Sequence, residues 1–351
     1  SQMKFNSNIQ EEALYLYAKA SFQTRYFEES LTALQTLLKD YPETDHKEES
    51  TGLIGQILLY SSNYKEAIEY LEEEDGLRTR KSREAYQRAA YLYGLQLFRE
   101  GVYDVAADYF KKAYNQNLDA EIAMNSYFWH GESLFKTQSY GEARSAYQSF
   151  LKQPYSAKHP RHAQAYYGIA WTALKEKNFA LASRNFEKYF GLANAEKSSE
   201  AYEAALLRAG DCEFALKNYN GALRYYKQVR DFNTMHVDYA LYQIGLLYFR
   251  KDDFKKAAES HVTLAARFRK SEYRDDALIT ASETYLTWLS DWKNCAKYCR
   301  VLLRDHGDSP YVPAALTRLA ISEERSGNAP EAINYYKKVV YDHCRNGQNV
   351  T

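Results

Sequence analysis

The sequence has no excess of either charge, few cysteines and no long apolar run. Lysine plus arginine and aspartate plus glutamate number 46 each, which argues against nucleic acid as the main ligand because phosphate binding needs a basic face. No apolar segment reaches the ~20 residues of a membrane span, so we expect no direct membrane insertion. Four cysteines do not make a disulfide framework, and we interpret Cys212, Cys295, Cys299 and Cys344 as buried free thiols.

The motifs of catalysis and of cofactor binding are also missing. The chain carries no phosphate loop, dinucleotide fingerprint or nucleophile elbow. His159 and His162 are a close histidine pair, but they flank a proline and lack a third ligand nearby, which favours a helix junction over a metal site. The sequence therefore predicts a protein that is not an enzyme and that holds no metal and no cofactor.

What the chain does have is a short phrase that recurs nine times. An aromatic residue is followed three positions later by a small residue, the phrase end, and consecutive phrase ends lie 35 to 40 positions apart. Such a period predicts a solenoid of stacked helical units. The phrases are Phe27–Ser30, Tyr64–Ala67, Tyr103–Ala106, Tyr140–Ala143, Phe179–Ala182, Tyr219–Ala222, Phe254–Ala257, Trp292–Cys295 and Ala329–Ala332, the last without its aromatic residue.

A second small position recurs twelve residues before the phrase end. It is glycine in five repeats (Gly55, Gly94, Gly131, Gly210 and Gly245) and alanine in three (Ala18, Ala170 and Ala320). Glycine inside a helix costs about 1 kcal/mol relative to alanine, so this register indicates two helices that approach each other closely. The eighth repeat departs most from the pattern, with Glu283 at this position and Cys295 at the phrase end.

These positions resemble the tetratricopeptide repeat. Gly245 and Tyr248 match its first helix, and Ala106, Phe110 and Ala113 match its second. The resemblance covers residues 8–345 and implies an all-α fold, an α-α superhelix of about nine helical hairpins. We expect residues 1–7 to be a leader or expression scar and residues 346–351 to be a tail.

The repeats are longer than the family's usual ones, and the extra residues fall between hairpins. Ser271-Glu-Tyr273 and Ser309-Pro-Tyr311 occupy two such junctions. They are similar to the long-period repeats of bacterial envelope proteins, such as the outer-membrane assembly lipoprotein and the Tol–Pal-associated periplasmic protein. This similarity implies a place in a bacterial cell-envelope complex, periplasmic or outer-membrane-associated, with the cytoplasm as the alternative.

The resemblance also implies a binding surface. In the family, the first helices line a concave groove through about their second, fifth, ninth and twelfth positions, here called the groove positions. On this chain the candidate groove residues are Arg88, Tyr91, Asn125, Phe128, Glu132, Gln164, Tyr167, Trp171, Asp211, Tyr239 and Tyr242. We expect a partly exposed aromatic path, with Glu132 and Asp211 choosing a positively charged ligand. The alternative is that neighbouring hairpins bury these rings.

The sequence thus predicts a non-catalytic scaffold that binds a protein or peptide segment in an aromatic-lined groove. A carbohydrate- or cell-wall-binding module is one alternative, since tyrosine and tryptophan also stack on sugars. A structural arm that contacts partners by its edges is another. The last helical segment still shows Ile333, Tyr336, Val339 and Val340, so we expect a further C-terminal element or a second molecule to cover it.

Overall fold

A computed structural model describes residues 7–73, 76–192, 200–231 and 236–344 of the chain. These residues form eighteen α-helices and no β-strand, which confirms the all-α prediction. None of the helices in these ranges is both long and apolar enough to span a membrane. The expectations for the leader, apart from Ser7, and for the tail at 346–351 fall outside the described residues.

The helices pair into nine hairpins within the described ranges, numbered 1 to 9 in chain order, and every second helix begins at the first residue of a phrase. The helices are α1 (Ser7–Gln23), α2 (Phe27–Asp40), α3 (Lys47–Tyr60), α4 (Tyr64–Glu73), α5 (Arg80–Glu100), α6 (Tyr103–Gln116), α7 (Ala120–Lys136), α8 (Tyr140–Leu151), α9 (His162–Lys175), α10 (Phe179–Leu192), α11 (Glu200–Ala215), α12 (Tyr219–Asp231), α13 (Val237–Arg250), α14 (Phe254–Arg267), α15 (Arg274–Glu283), α16 (Trp292–Asp305), α17 (Val312–Arg325) and α18 (Ala329–Lys338). The phrase therefore marks the start of each second helix.

Each hairpin turn holds one residue in the left-handed backbone region, two positions before the second helix begins. Gly101 and Gly327 take this conformation without a steric cost. The other seven turns place a side-chain-bearing residue there, at about 1–2 kcal/mol each. These residues are Arg25, Ser62, Gln138, Lys177, Lys217, Asp252 and Ser290.

The hairpins fall into two compact units, an N-terminal unit (residues 1–192, hairpins 1 to 5) and a C-terminal unit (residues 193–351, hairpins 6 to 9). In the N-terminal unit the first helices contact one another in succession, α1 with α3, α3 with α5, α5 with α7 and α7 with α9. In the C-terminal unit α15 contacts α17 in the same way. Each unit is thus a stack in which hairpins pack on their neighbours, as in a helical solenoid.

The two small positions lie where the helices of a hairpin touch. All nine phrase ends are at most 2% exposed. In the five hairpins with a glycine, the residue four positions after the phrase end packs against that glycine. A Cβ atom added to Gly131 would lie 2.8 Å from the Tyr147 ring, and one added to Gly210 would lie 2.7 Å from the Tyr226 ring. The glycines are therefore required for close helix packing.

Hairpin 8 corrects the expected register. Its first helix continues beyond Glu283 as a π-helical segment, Thr284–Trp288, which accommodates one extra residue. Ser282 is fully buried and interacts with Cys299, so it occupies the small position that Glu283 was expected to hold. The Glu283 side chain is instead 53% exposed and pairs with Arg318.

The cysteines lie in the core, as expected. Cys212, Cys295 and Cys299 are buried free thiols, and Cys295 Sγ donates to the backbone oxygen of Arg318 at 3.9 Å. Burial raises the pKa of the Cys212 thiol to about 12, which keeps it protonated and unreactive at neutral pH. The prediction for the Cys344 side chain falls outside the described part of the structure.

Candidate binding site on the first helices

The structure buries part of the expected aromatic path. Phe128 is only 5% exposed, with its ring centroid 5.9 Å from that of Tyr147, so it belongs to the core of hairpin 4. Tyr91, Tyr167 and Trp171 are half-buried. The expected path of partly exposed rings is therefore interrupted at Phe128.

The half-buried rings of hairpin 5 pack on one another and on their own second helix. The Tyr167 centroid lies 5.9 Å from Trp171 and 5.2 Å from Tyr189, and Trp171 lies 6.2 Å from Phe186. Burial raises the pKa of Tyr167. These contacts fill the space between the helices, although both side chains stay partly exposed.

Asn125 is also buried, at 9% exposure, and it holds a cation that the sequence did not single out. Its Oδ1 accepts a hydrogen bond of 3.0 Å from Arg161, which lies directly before α9. The Arg161 guanidinium covers the rings of Phe128 and Trp129, at 5.5 and 5.1 Å from their centroids. Gln164 is exposed one turn further along α9.

The two carboxylates expected to choose the ligand already have partners within the chain. Glu132 accepts a hydrogen bond of 2.8 Å from the Tyr147 hydroxyl, and burial raises the pKa of Glu132. Asp211 accepts from the hydroxyls of Tyr226 and Tyr239, at 2.7 and 2.8 Å, and pairs with Arg208 at 2.6 Å. Both groups therefore join the two helices of a hairpin, and Asp211 also joins hairpin 6 to hairpin 7.

In the C-terminal unit the structure brings Asp211, Tyr239 and Tyr242 into one cluster. Tyr273 connects the two tyrosines, with ring centroids 5.5 Å from Tyr239 and 5.6 Å from Tyr242. Burial raises the pKa of Tyr242. Tyr273 belongs to the junction Ser271-Glu-Tyr273. The junction therefore packs against two of the predicted site residues, Tyr239 and Tyr242.

An open cleft lies elsewhere, along the first helices of hairpins 1 to 4. A cleft of about 850 Å³ is lined by α1, α3, α5 and the start of α7. The residues that α3 contributes include all four of its groove positions, Glu49, Gly52, Gln56 and Leu59. Of the residues predicted from the sequence, Arg88 lines this cleft and the others do not. We call this space the α3 cleft.

Gly52 explains why the cleft is open. It occupies the groove position at helix position five, where hairpins 3, 4 and 5 carry Tyr91, Phe128 and Tyr167. A Cβ atom added to Gly52 would lie 3.5 Å from Ser82 Cβ, an ordinary contact, so packing does not require a glycine here. The absence of a ring at this position leaves the space empty.

The charges in the α3 cleft are only partly paired. Lys19 Nζ lies 3.1 Å from Glu49 Oε1, and the Tyr15 hydroxyl, through its hydrogen bond, lowers the pKa of Glu49. Asp119 caps α7 by accepting from the backbone nitrogens of Glu121 and Ile122. In contrast, Lys81 and Arg88 make no ion pair with any residue in the described ranges. The cleft therefore has cations available to a ligand.

The sequence search missed this cleft because it followed aromatic residues. The signal that could have found it was Gly52, a groove position with no side chain. The first helix of the following hairpin, α5, carries the cations Lys81 and Arg88. The described residues also contain no group of three or more His, Cys, Asp or Glu side chains placed to hold a metal ion.

The comparisons with known proteins agree with this fold. One tetratricopeptide repeat family model matches residues 130–188, and a second matches residues 12–44 and 204–232. No curated protein matches the chain at a significant level.

Two solved structures share the fold. The C-terminal part of a repeat-containing protein from Cytophaga hutchinsonii is similar at 19% identity, with a TM-score of 0.50, over 76% of this chain and 99% of that one. A STAND protein (Signal Transduction ATPase with Numerous Domains) with a tetratricopeptide repeat sensor, from Pyrococcus horikoshii, is similar at 14% identity, with a TM-score of 0.50. This match covers 97% of this chain and 63% of the other, and it supports the fold alone.

Proposed function

Because the chain carries tetratricopeptide repeats, we propose that it is a non-catalytic scaffold whose α3 cleft binds a segment of another protein. The observation that supports this proposal is the cleft itself, about 850 Å³ in volume and lined by all four groove positions of α3. A cleft of this size accommodates several side chains of a peptide. The neighbouring groove surface on hairpins 4 and 5 is already filled by rings of the chain.

The lining favours a ligand that joins apolar and acidic groups. Phe22, Leu53 and Ile122 supply apolar surface, while Lys81 and Arg88 supply positive charge without an ion-pair partner in the described ranges. An arginine can hold a carboxylate through two parallel hydrogen bonds. We therefore propose a peptide with an aspartate or glutamate beside an apolar side chain, rather than the positively charged ligand expected from Glu132 and Asp211.

Selection from a random peptide library displayed on phage tests this proposal. We expect the selected peptides to be rich in aspartate or glutamate next to an apolar residue. Their affinity, measured by isothermal titration calorimetry, should fall by at least about 2 kcal/mol in Arg88→Glu, because an attractive charge pair becomes a repulsive one. Lys111→Glu is the matched control, since it makes the same charge change on an exposed position of α6.

Equal affinities in the two variants would contradict the peptide proposal. A carbohydrate- or cell-wall-binding module is the alternative, and sedimentation with purified peptidoglycan measures it directly. Binding to peptidoglycan that survives Arg88→Glu would favour a neutral glycan held by stacking. Failure of both ligands would favour the structural arm that contacts partners by its edges.

We also propose a place in a bacterial cell-envelope complex, on the basis of the two long junctions. Ser271 and Ser309 act alike: each hydroxyl donates to an aspartate of the preceding first helix, Asp238 or Asp275, and accepts from the backbone nitrogen two residues later. The signature thus has a structural role at both junctions. Fractionation of the native organism, with an antibody against this chain, distinguishes the envelope from the cytoplasm.

A further inference from the structure

We propose that copies of this chain associate end to end, with α18 of one copy packed on α1 of the next. Both terminal helices expose large apolar side chains. Leu16 and Tyr17 of α1 are 53% and 55% exposed. Ile333 of α18, and Val340 in its π-helical continuation, are 54% and 52% exposed.

The same register positions are buried in most hairpins inside the stack. Tyr17 lies two positions before the ninth helix position. Of the equivalent residues, Ile54, Ile169, Ile244 and Leu319 are at most 3% exposed, and Tyr93 and His130 are half-buried. Ile333 directly follows a phrase end. Of the equivalent residues, Ile68, Ala107, Leu223, Ala258 and Ala296 are at most 8% exposed, and Leu31 and Arg144 are half-buried. Tyr17 and Ile333 are therefore exposed at register positions that are buried in most of the other hairpins.

Contacts between consecutive hairpins show how a second helix meets the first helix of the following hairpin. Tyr114, eight residues after the phrase end of hairpin 3, stacks on Tyr127 of α7 with ring centroids 4.2 Å apart. It also lies 5.5 Å from His130 of α7, measured between ring centroids. In hairpin 8, the phrase-end thiol of Cys295 contacts the backbone oxygen of Arg318 in α17. A second helix thus packs on the first helix of the following hairpin.

The two termini carry the two halves of this interface. Val340 has the register of Tyr114, and Tyr17 has the register of His130. Stacking α18 on α1 of a second copy therefore continues an interface that the chain already forms within itself, and it places Val340 on Tyr17.

A second copy is the occupant that this match identifies, because α1 exposes a face that a second helix covers elsewhere in the stack, and α18 exposes a second-helix face of that kind. Two α18 faces, or two α1 faces, would not reproduce the internal contacts. The contact is heterologous, so each copy keeps one free end after binding, and assembly proceeds to open chains or closed rings.

Sedimentation velocity over a range of protein concentrations tests the proposal. We expect the average mass of the wild-type protein to rise above that of the monomer as concentration increases. Val340→Lys and Tyr17→Lys should each abolish this rise, because each removes one half of the interface. Tyr155→Lys is the matched control, since Tyr155 is 79% exposed at the junction between hairpins 4 and 5 and should leave assembly unchanged.

A mixture of the two variants provides the decisive result. Val340→Lys retains an intact α1 face and Tyr17→Lys retains an intact α18 face, so the mixture should form one-to-one dimers that grow no further. A Tyr17→Lys protein that assembles alone would overturn the proposal in favour of a symmetric α18 contact, and a wild-type protein that stays monomeric would overturn it outright. Unchanged helical circular dichroism confirms that the variants fold.

Discussion

The first helices of the N-terminal unit use one set of positions in two ways. In hairpin 2 the groove position at helix position five is Gly52, which lines the α3 cleft. In hairpins 4 and 5 the fifth positions are Phe128 and Tyr167, whose rings pack against their own second helices. The backbone register is the same in both regions, so side-chain size at one position decides whether the surface stays open or becomes core.

The largest effect that this comparison predicts is on stability. Replacing Phe128 with alanine should lower the free energy of unfolding by about 3–5 kcal/mol, because a fully packed ring is lost from the core. Gln56→Ala, at a groove position of the α3 cleft, should change it by less than ~0.5 kcal/mol. Urea unfolding followed by circular dichroism measures both. Similar losses in the two variants would show that the two regions do not differ in packing.

Two glycines one turn apart on α3 sharpen the comparison. A Cβ atom at Gly55 would lie 2.8 Å from Leu71 of α4, so Gly55→Ala should cost about 1–3 kcal/mol through overpacking. At Gly52 the added atom makes only ordinary contacts, and the better helix propensity of alanine should stabilise the protein by up to ~1 kcal/mol. Thermal unfolding of the two variants gives the sign directly, and a loss at Gly52 would show that this position is already packed.

The smallest predicted effect is a difference in pH dependence. The Tyr15 hydroxyl lowers the pKa of Glu49 below its ordinary value of 4.5, so the stability that Glu49 contributes is present above pH 4.5 and is lost as the pH falls further. Burial raises the pKa of Glu132, so its ionised form is disfavoured in the folded chain, and stability should increase as the pH falls from 7 towards 4.5.

Urea unfolding of the wild type, Glu49→Gln and Glu132→Gln at several pH values measures this difference. The stability of the wild type relative to Glu132→Gln should rise on acidification to pH 4.5. The stability of the wild type relative to Glu49→Gln should decrease as the pH is lowered further, from 4.5 downwards. Parallel curves for all three proteins would contradict the assigned surroundings of the two carboxyl groups.

The sequence predicted the helices well because packing in a repeat fold is local. The phrases located the start of every second helix, and the glycines at the small position located the contact between the helices of five hairpins. The α3 cleft was missed because an empty position carries no signal until its neighbours are placed. The shared role of Asp211 was missed because its partner Tyr239 lies 28 residues away, on another hairpin. The predicted aromatic groove remains a prediction, with Phe128 now placed in the core.

The π-helical segment at Thr284–Trp288 also bears on how such a chain can change over time. One additional residue in hairpin 8 is taken up within a single helical turn, and Cys295 and Cys299 of the following helix remain fully packed. Without such a π-helical segment, an added residue would rotate every later side chain of its helix by about 100°. Here the disturbance ends inside the hairpin. An inserted residue can therefore be accommodated in one repeat while the next keeps its own register.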